Sequence, residues 1–142
     1  MIGSSVSDLE VGDRLGPVDH HLSPFLVHEY AHAVEDGSER HQGSRSLIVP
    51  PTMVHTHKIR LLDQACPGGA GPSARLHVVY DATHRACIPA DRTLAVSGVV
   101  SDRYQRRGRD HLVLELEVRD KATGQVYTTY RDTSVLSYRP HG

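Results

Sequence analysis

The chain has 142 residues, of which 38% are hydrophobic and 23% charged, and its formal net charge is -1. This length fits one domain with its own core and is too short for two enzymatic domains. No apolar stretch reaches the about 18 residues of a membrane span, and the largest basic cluster, at Arg106, Arg107 and Arg109, is too small to indicate nucleic-acid binding. We therefore expect a single domain over residues 1–142, with neither a membrane nor nucleic acid as partner.

The start of the chain and its cysteines indicate the compartment. The opening MIGSSVSDLEVGD lacks the charged and apolar regions of a secretory signal, so we expect a cytoplasmic protein. Cys66 and Cys87 have neither zinc-site spacing nor that of a disulfide framework. We expect both to be reduced thiols.

Helical signals occupy the first half of the chain, after a short strand predicted around Val11–Val18. Ser23 followed by Pro24 is typical of a helix start, and the predicted helix runs to Glu35 and stops at Asp36-Gly37. A loop, GSERHQGSRS, follows. The predicted buried face of this helix comprises Phe25, Leu26, Tyr30, Ala33 and Val34, with His28, Glu29, His32 and Glu35 outward.

A second helix is predicted after the Pro50-Pro51 pair. Its sequence, TMVHTHKIRLLDQA, has helical periodicity and is ended by Pro67-Gly68-Gly69. The predicted buried stripe comprises Met53, Val54, Ile59, Leu62 and Ala65. His55 and His57 lie two apart and face different ways, so we interpret them as pocket or interface residues rather than metal ligands.

Alternating patterns from residue 74 onward predict four antiparallel strands, at 74–83, 93–104, 111–120 and 125–138. In the third, the odd-numbered Glu115, Glu117 and Arg119 share the solvent face and KATGQ forms the following turn. The side chains predicted for the core face are Leu112, Leu114, Leu116 and Val118. The order of elements predicts an α+β domain in which a curved antiparallel sheet wraps a central helix.

One stretch carries a chemically specific pattern. Tyr30-Ala31, Asp36 and His41 reproduce the frame YAxxxxDxNPxH, and the chain resembles the MaoC-like and (R)-specific enoyl-CoA hydratase family from about Leu9 to Leu136. VPPTM, at residues 49–53, is similar to helix openings in the dehydratase branch that includes the mycobacterial fatty-acid dehydratase subunits. The resemblance implies a hot-dog fold.

The resemblance also implies an activity, namely reversible loss or addition of water on a 3-hydroxyacyl thioester of coenzyme A or acyl carrier protein. His41 is suited to removing the proton from the carbon next to the thioester carbonyl. Asp36 is suited to handling the proton of the hydroxyl that leaves from the following carbon. In the family, a backbone N–H at the start of the central helix stabilises the thioester oxyanion. The elimination needs no cofactor, and no metal is expected. Family members usually pair through their sheets, which implies a homodimer.

The sequence departs from the family pattern at three places. Ser38 stands where the hydratases have Asn between the paired residues. Pro51 replaces the residue that opens the central helix and has no N–H, so the oxyanion donor is expected at Thr52 or Met53. Only nine residues separate His41 from Pro51, which predicts a short covering loop and a more open site. These departures favour a specialised substrate, such as one of polyketide metabolism.

Several functions remain open for this pattern. A dehydratase or hydratase with Asp36 and His41 as catalytic residues is the first hypothesis, with Ser38, Pro51, Thr52 and Met53 as substrate-binding residues. The first alternative is another hot-dog enzyme, either a thioesterase or a double-bond isomerase. The second alternative is a noncatalytic acyl-binding subunit of a heterodimeric dehydratase.

Overall fold

The protein is built on one five-stranded antiparallel sheet. The computed structural model describes residues 5–43, 46–68 and 76–136. The strand order is β1-β3-β4-β5-β2. The strands are β1 (Arg14–Leu22), β2 (Leu76–His84), β3 (Arg92–Arg106), β4 (Arg109–Asp120) and β5 (Val126–Val135).

Strands β3, β4 and β5 form the meander that the alternating sequence predicts. The even-numbered side chains of β4 from Leu112 to Val118 are buried, while Glu115 and Arg119 are exposed, so the predicted faces are confirmed. Gly124 takes a positive φ of 77° in the turn between β4 and β5. Strand β2 pairs with β5 rather than with its successor β3, which makes β2 an edge of the sheet. Residues 74, 75, 137 and 138 of the predicted strands lie outside the described residues.

The helices are shorter than the sequence pattern predicts. They are α1 (Pro24–Ala33), α2 (Glu39–Gln42) and α3 (His57–Ala65), with 3-10 turns at Val6–Asp8 and Pro51–Thr56. The Ser23 hydroxyl accepts the N–H of Leu26 at 3.3 Å, so the predicted cap at the start of α1 is confirmed. The predicted loop contains α2, a single turn. None of the helices within the described ranges is long and apolar enough to cross a membrane.

The predicted buried face of α1 is wrong. The structure buries Val27 and Ala31, with Tyr30 half-buried beside them, and leaves Phe25, Leu26, Ala33 and Val34 exposed. Apolar residues occur on more than one side of this short helix, so periodicity alone does not select the stripe that meets the sheet. His28, predicted outward, is half-buried and its Nε2 lies 3.1 Å from the Gly43 carbonyl oxygen, which ties α1 to the end of α2.

The predicted stripe of the second helix is correct except at Ile59, which is exposed. Met53, Val54, Leu62 and Ala65 are buried as predicted, and Leu61 joins them. The segment begins as a 3-10 turn with about three residues per turn, so the phase of the helix shifts before α3. The shift turns His57 and Lys58 inward. The side chain of His55 and residue Gly69 lie outside the described part of the chain.

Helix α3 lies across the inner face of the sheet, mainly against β1 and β3. His57 is 1% exposed, and its ring centroid is 4.2 Å from that of His20 on β1. Neither ring nitrogen of His57 has a hydrogen-bond partner among the described residues. Burial next to His20 and Arg60 lowers the pKa of His57 to about 3, so the ring is neutral at physiological pH.

Candidate active site

Three concave regions lie among the described residues. One of them contains no histidine and is lined by Ser7, Asp8, Glu10, Val11 and Arg103. The other two lie along the sheet. The larger, about 720 Å³, lies open and is lined by residues from the outer face of the sheet, among them Arg14, Glu115 and Arg131. The smaller, about 310 Å³, lies between the segment around His41 and the start of the segment that follows β2. Proton transfer near neutral pH needs a group such as histidine, and His41 lines the smaller cavity. We therefore take the smaller cavity as the candidate active site.

The end of α1 places Asp36. Glu35 has a positive φ of 58°, and its N–H donates to the His32 carbonyl at 3.1 Å. The N–H of Asp36 donates to the Ala31 carbonyl at 2.8 Å. This pair of bonds is the Schellman motif, which reverses the chain at a helix end. It fixes the Asp36 backbone relative to α1.

The Asp36 carboxyl is held in its ionised form. Its Oδ1 accepts the backbone N–H of Ser38 at 3.0 Å. Hydrogen bonds from Ser38 lower the pKa of Asp36, with a smaller contribution from His41. Asp36 therefore acts as a hydrogen-bond acceptor at neutral pH. Ser38, predicted to supply a polar contact, supplies it to Asp36 and begins α2.

The neighbouring segment fixes the orientation of the His41 ring. Nδ1 of His41 lies 2.7 Å from the Ile48 carbonyl oxygen. The N–H of Ile48 donates in return to the Arg40 carbonyl at 2.8 Å. A carbonyl oxygen only accepts, so Nδ1 carries the proton and Nε2 presents a lone pair. The half-buried ring is thereby prepared to accept a proton at Nε2.

The structure brings the two predicted catalytic side chains together. Nε2 of His41 lies 3.8 Å from Oδ2 of Asp36, too far for a direct hydrogen bond. Both atoms can instead contact one oxygen atom, since each prefers a partner at about 2.8 Å. A water or a substrate hydroxyl fits this role. The pair can therefore hold and deprotonate an oxygen-bound group.

The other predicted substrate residues occupy different environments. Pro51 lines the cavity. Thr52 is exposed, and its Oγ1 lies 2.7 Å from the Tyr30 hydroxyl. Met53 is buried in the core, and its N–H donates to the Pro50 carbonyl at 3.0 Å. Since the Met53 N–H is already bonded, Thr52 is the candidate oxyanion donor at this helix opening.

Sequence reasoning missed the far wall of the cavity. His84, Arg85, Cys87 and Thr128 line it from β2, the segment after it and β5. His84 Nδ1 lies 3.2 Å from Thr128 Oγ1. These residues are 43 or more positions from His41, and only the pairing of β2 with β5 joins them. The sequence signal for this wall was the presence of polar residues at strand positions that face the inside of the sheet.

Cys66 is buried and Cys87 exposed, and no disulfide joins these two described residues. Within the described ranges, no group of three or more His, Cys, Asp or Glu side chains is arranged to hold a metal ion.

Comparisons with known proteins address the fold. The sequence matches no protein-family model and no curated protein. Solved structures do match. A MaoC-like dehydratase from Rhodospirillum rubrum superposes with a TM-score of 0.71 over 96% of this chain and 98% of its own, at 17% identity. The fold is the hot dog. An (R)-hydratase of A. caviae involved in PHA biosynthesis gives a TM-score of 0.70 over 91% of this chain and 98% of its own, at 15% identity.

A monoamine oxidase regulatory protein from Archaeoglobus also has this hot-dog fold, with a TM-score of 0.77 over 99% of this chain and 100% of its own, at 13% identity. The α+β hot-dog fold that the resemblance implied is thereby confirmed, and so is the likeness to MaoC-like proteins at the level of the fold. Sequence identities this low between the chain and the solved structures establish the fold alone, because proteins of one fold have many different functions.

Proposed function

We propose that this hot-dog protein is a hydro-lyase that interconverts 3-hydroxyacyl and 2-enoyl thioesters. The observation that carries the proposal is the arrangement of His41 and Asp36. A histidine with its Nδ1 proton directed to Ile48 presents Nε2 within 3.8 Å of an ionised carboxylate, beside a cavity of about 310 Å³. The similarity to hydratase and dehydratase folds supports the same class of reaction.

The geometry assigns a role to each side chain in dehydration. His41 Nε2 takes the proton from C2, the bond between C3 and oxygen breaks, and the proton passes to the departing hydroxyl to form water. Asp36 accepts the hydrogen bond of that hydroxyl, which agrees with its lowered pKa. The Thr52 N–H stabilises the charge that develops on the thioester oxygen. Hydration follows the same path in reverse and needs no cofactor.

The rim of the cavity suits a phosphate-bearing carrier. Arg40 and Arg85 both line the cavity and both are exposed. Guanidinium groups bind phosphate through paired hydrogen bonds. Coenzyme A and the prosthetic arm of an acyl carrier protein both bear phosphate, so either thioester is a proposed substrate. We propose that the reaction takes place in the cytoplasm, where such thioesters are made and used.

An assay with two signals tests the proposed reaction. Purified protein is given 2-enoyl thioesters of coenzyme A and of acyl carrier protein, and enoyl absorbance and free thiol are followed together. We expect loss of enoyl absorbance without thiol release. Thiol release would instead show a thioesterase, and movement of the double bond without hydration would show an isomerase. No turnover on either carrier would contradict the proposal and favour an acyl-binding subunit.

We further propose that the protein forms a homodimer through the edge strand β2. Residues 76–81 of β2 are all exposed, including Leu76, Val78 and Val79. A bare edge with apolar side chains is a template for pairing with another strand. We expect sedimentation of the wild type at twice the single-chain mass.

Val79→Lys is expected to shift the protein to the single-chain mass without unfolding it, because the side chain is exposed. Val11→Lys is the matched control, since Val11 is also exposed but lies outside the strands. A wild type that sediments as a single chain at all concentrations would contradict the dimer.

A further inference from the structure

Two histidines line the candidate cavity from different walls. His41 lies in α2, and His84 is the last residue of β2. In the ladder His84 pairs with Thr128 of β5, and Thr128 pairs with the core residue Val118. Residues paired across strands share a face of the sheet, so the His84 side chain lies on the inner face beside the cavity. The dehydration described above gives His84 no role.

The contact between His84 and Thr128 determines which ring nitrogen of His84 carries the proton. Nδ1 of His84 lies 3.2 Å from Thr128 Oγ1. Thr128 is 1% exposed, and this is the one hydrogen bond of its hydroxyl among the described residues. A buried hydroxyl proton without an acceptor is costly, so the Thr128 hydroxyl donates to Nδ1. In the neutral ring, Nε2 then carries the proton.

The two histidines of the cavity therefore have opposite tautomers. His41 donates from Nδ1 to the Ile48 carbonyl oxygen, which leaves a lone pair on its Nε2. His84 accepts at Nδ1 from a hydroxyl, which leaves an N–H on its Nε2. In the described part of the chain, this N–H has no hydrogen-bond partner. The cavity thus has a proton acceptor on one wall and a hydrogen-bond donor on another.

The proposed reaction needs a donor in this cavity. Removal of the C2 proton places negative charge on the thioester oxygen, which is two bonds from C2. Pro51 lines the cavity but has no N–H. The N–H groups of Ile48 and Val49, which also line it, already donate to backbone carbonyls at 2.8 Å. Thr52 is the candidate for one donor, and an oxyanion hole usually has two.

We propose that His84 is a catalytic residue whose Nε2–H donates to the thioester oxygen, and that Thr128 is a positioning residue that holds His84 in this tautomer. The inference rests on the proposed function and adds a residue to its machinery. A neutral imidazole is suited to this role because it polarises a carbonyl without taking the C2 proton.

The electrons and protons of the step balance with His84 unchanged. The electron pair of the C2–H bond moves toward the thioester oxygen, and the hydrogen bond from His84 strengthens. This pair then forms the double bond between C2 and C3 while the bond from C3 to oxygen breaks. The proton travels from C2 through His41 to the departing oxygen, so water leaves and His84 keeps its proton.

Infrared spectroscopy of a bound saturated thioester tests the hydrogen bond without turnover. The probe is butanoyl-pantetheine with carbon-13 at the thioester carbonyl, at a saturating concentration. A donor to the carbonyl oxygen weakens the C=O bond, so we expect the wild-type band at lower wavenumber than that of the free probe. His84→Leu should move the band back toward the free position. His84→Gln keeps an N–H donor and should retain most of the shift.

Steady-state kinetics with a 2-enoyl thioester tests the catalytic role. We expect His84→Leu to lower kcat about 100-fold with little change in KM, since the lost interaction strengthens in the transition state. His84→Gln should remain within about tenfold of wild type, because it retains a donor. His84 is exposed, so we expect both variants to fold, and their melting temperatures verify this.

The neighbouring threonines provide a matched pair for the positioning role. Thr128→Val removes the hydroxyl that fixes the tautomer and is expected to lower kcat about tenfold, the equivalent of one hydrogen bond. Thr128→Ser keeps the hydroxyl and should stay near the wild-type rate. Thr129→Val is the control, because Thr129 is the next residue on β5 but lines the groove on the outer face of the sheet.

The two measurements separate this inference from the proposed reaction. A wild-type band at the free position, or no bound band, would overturn the role of His84. Equal losses of kcat in His84→Leu and His84→Gln would also overturn it, since they indicate a purely structural residue. Turnover with a band that His84→Leu leaves unchanged contradicts this inference alone. A band that depends on His84 in a protein without turnover contradicts the proposed reaction and leaves the hydrogen bond in place.

Discussion

Replacing His41 by Ala is expected to lower kcat/KM for a 2-enoyl thioester about 1,000-fold, because the variant loses the only proton acceptor assigned to C2. The substitution also removes the Nδ1 bond to Ile48, so the melting temperature is measured beside the rate. Added imidazole is expected to restore part of the activity, since the vacated space opens on the cavity. A structural role for His41 would not be rescued in this way.

His32→Ala is the matched control for this experiment. His32 lies exposed on α1, outside the cavity lining, so its activity should stay at the wild-type level. A His41→Ala protein that is folded and keeps its activity within tenfold of wild type would exclude His41 as the base.

Acid is expected to destabilise the protein through His57, and His57→Leu to remove this effect. The pKa of the folded ring is about 3, below the ordinary histidine value of 6.5, so the unfolded chain takes up a proton between these values and the folded chain does not. Stability from this residue is present above pH 6.5 and is lost as the pH falls toward 3. Between pH 8 and pH 5 the loss amounts to about 2 kcal/mol.

Urea unfolding of both proteins at pH 8 and pH 5 measures the difference. We expect His57→Leu to be at least as stable as wild type at pH 8, because leucine removes two buried nitrogens without partners among the described residues. Its loss of stability on going to pH 5 should be smaller by about 2 kcal/mol. His32→Leu, at an exposed position, is the control and should follow wild type. If the free energy of unfolding depended equally on pH in wild type and in His57→Leu, His57 would not be the source of the acid destabilisation.

Local signals predicted much of this fold. The Ser23-Pro24 start of α1 and the alternation of β4 depend on neighbouring residues, so one sequence contains the information. The frame of Asp36 and His41 is likewise local, and the structure brings these two side chains to 3.8 Å. Their catalytic role remains a prediction.

Other features depend on contacts between distant segments. Lys58 and Asp132 are 74 positions apart, and a single sequence does not show that they meet. Arg131 and Asp132 are both charged and adjacent, so alternation alone does not decide which of them turns inward. The buried face of α1 was missed for the same reason, because the sheet rather than the helix selects it.

The strands of the sheet make separate contributions to the molecule. The aliphatic side chains of β3 and β4 belong to the hydrophobic core, whereas His84 on β2 and Thr128 on β5 line the candidate site. Changes of specificity usually compete with stability when both depend on the same residues. Here they depend on different strands. A lineage with this architecture can therefore alter its substrate by substitutions on β2 and β5 while β3 and β4 preserve the fold.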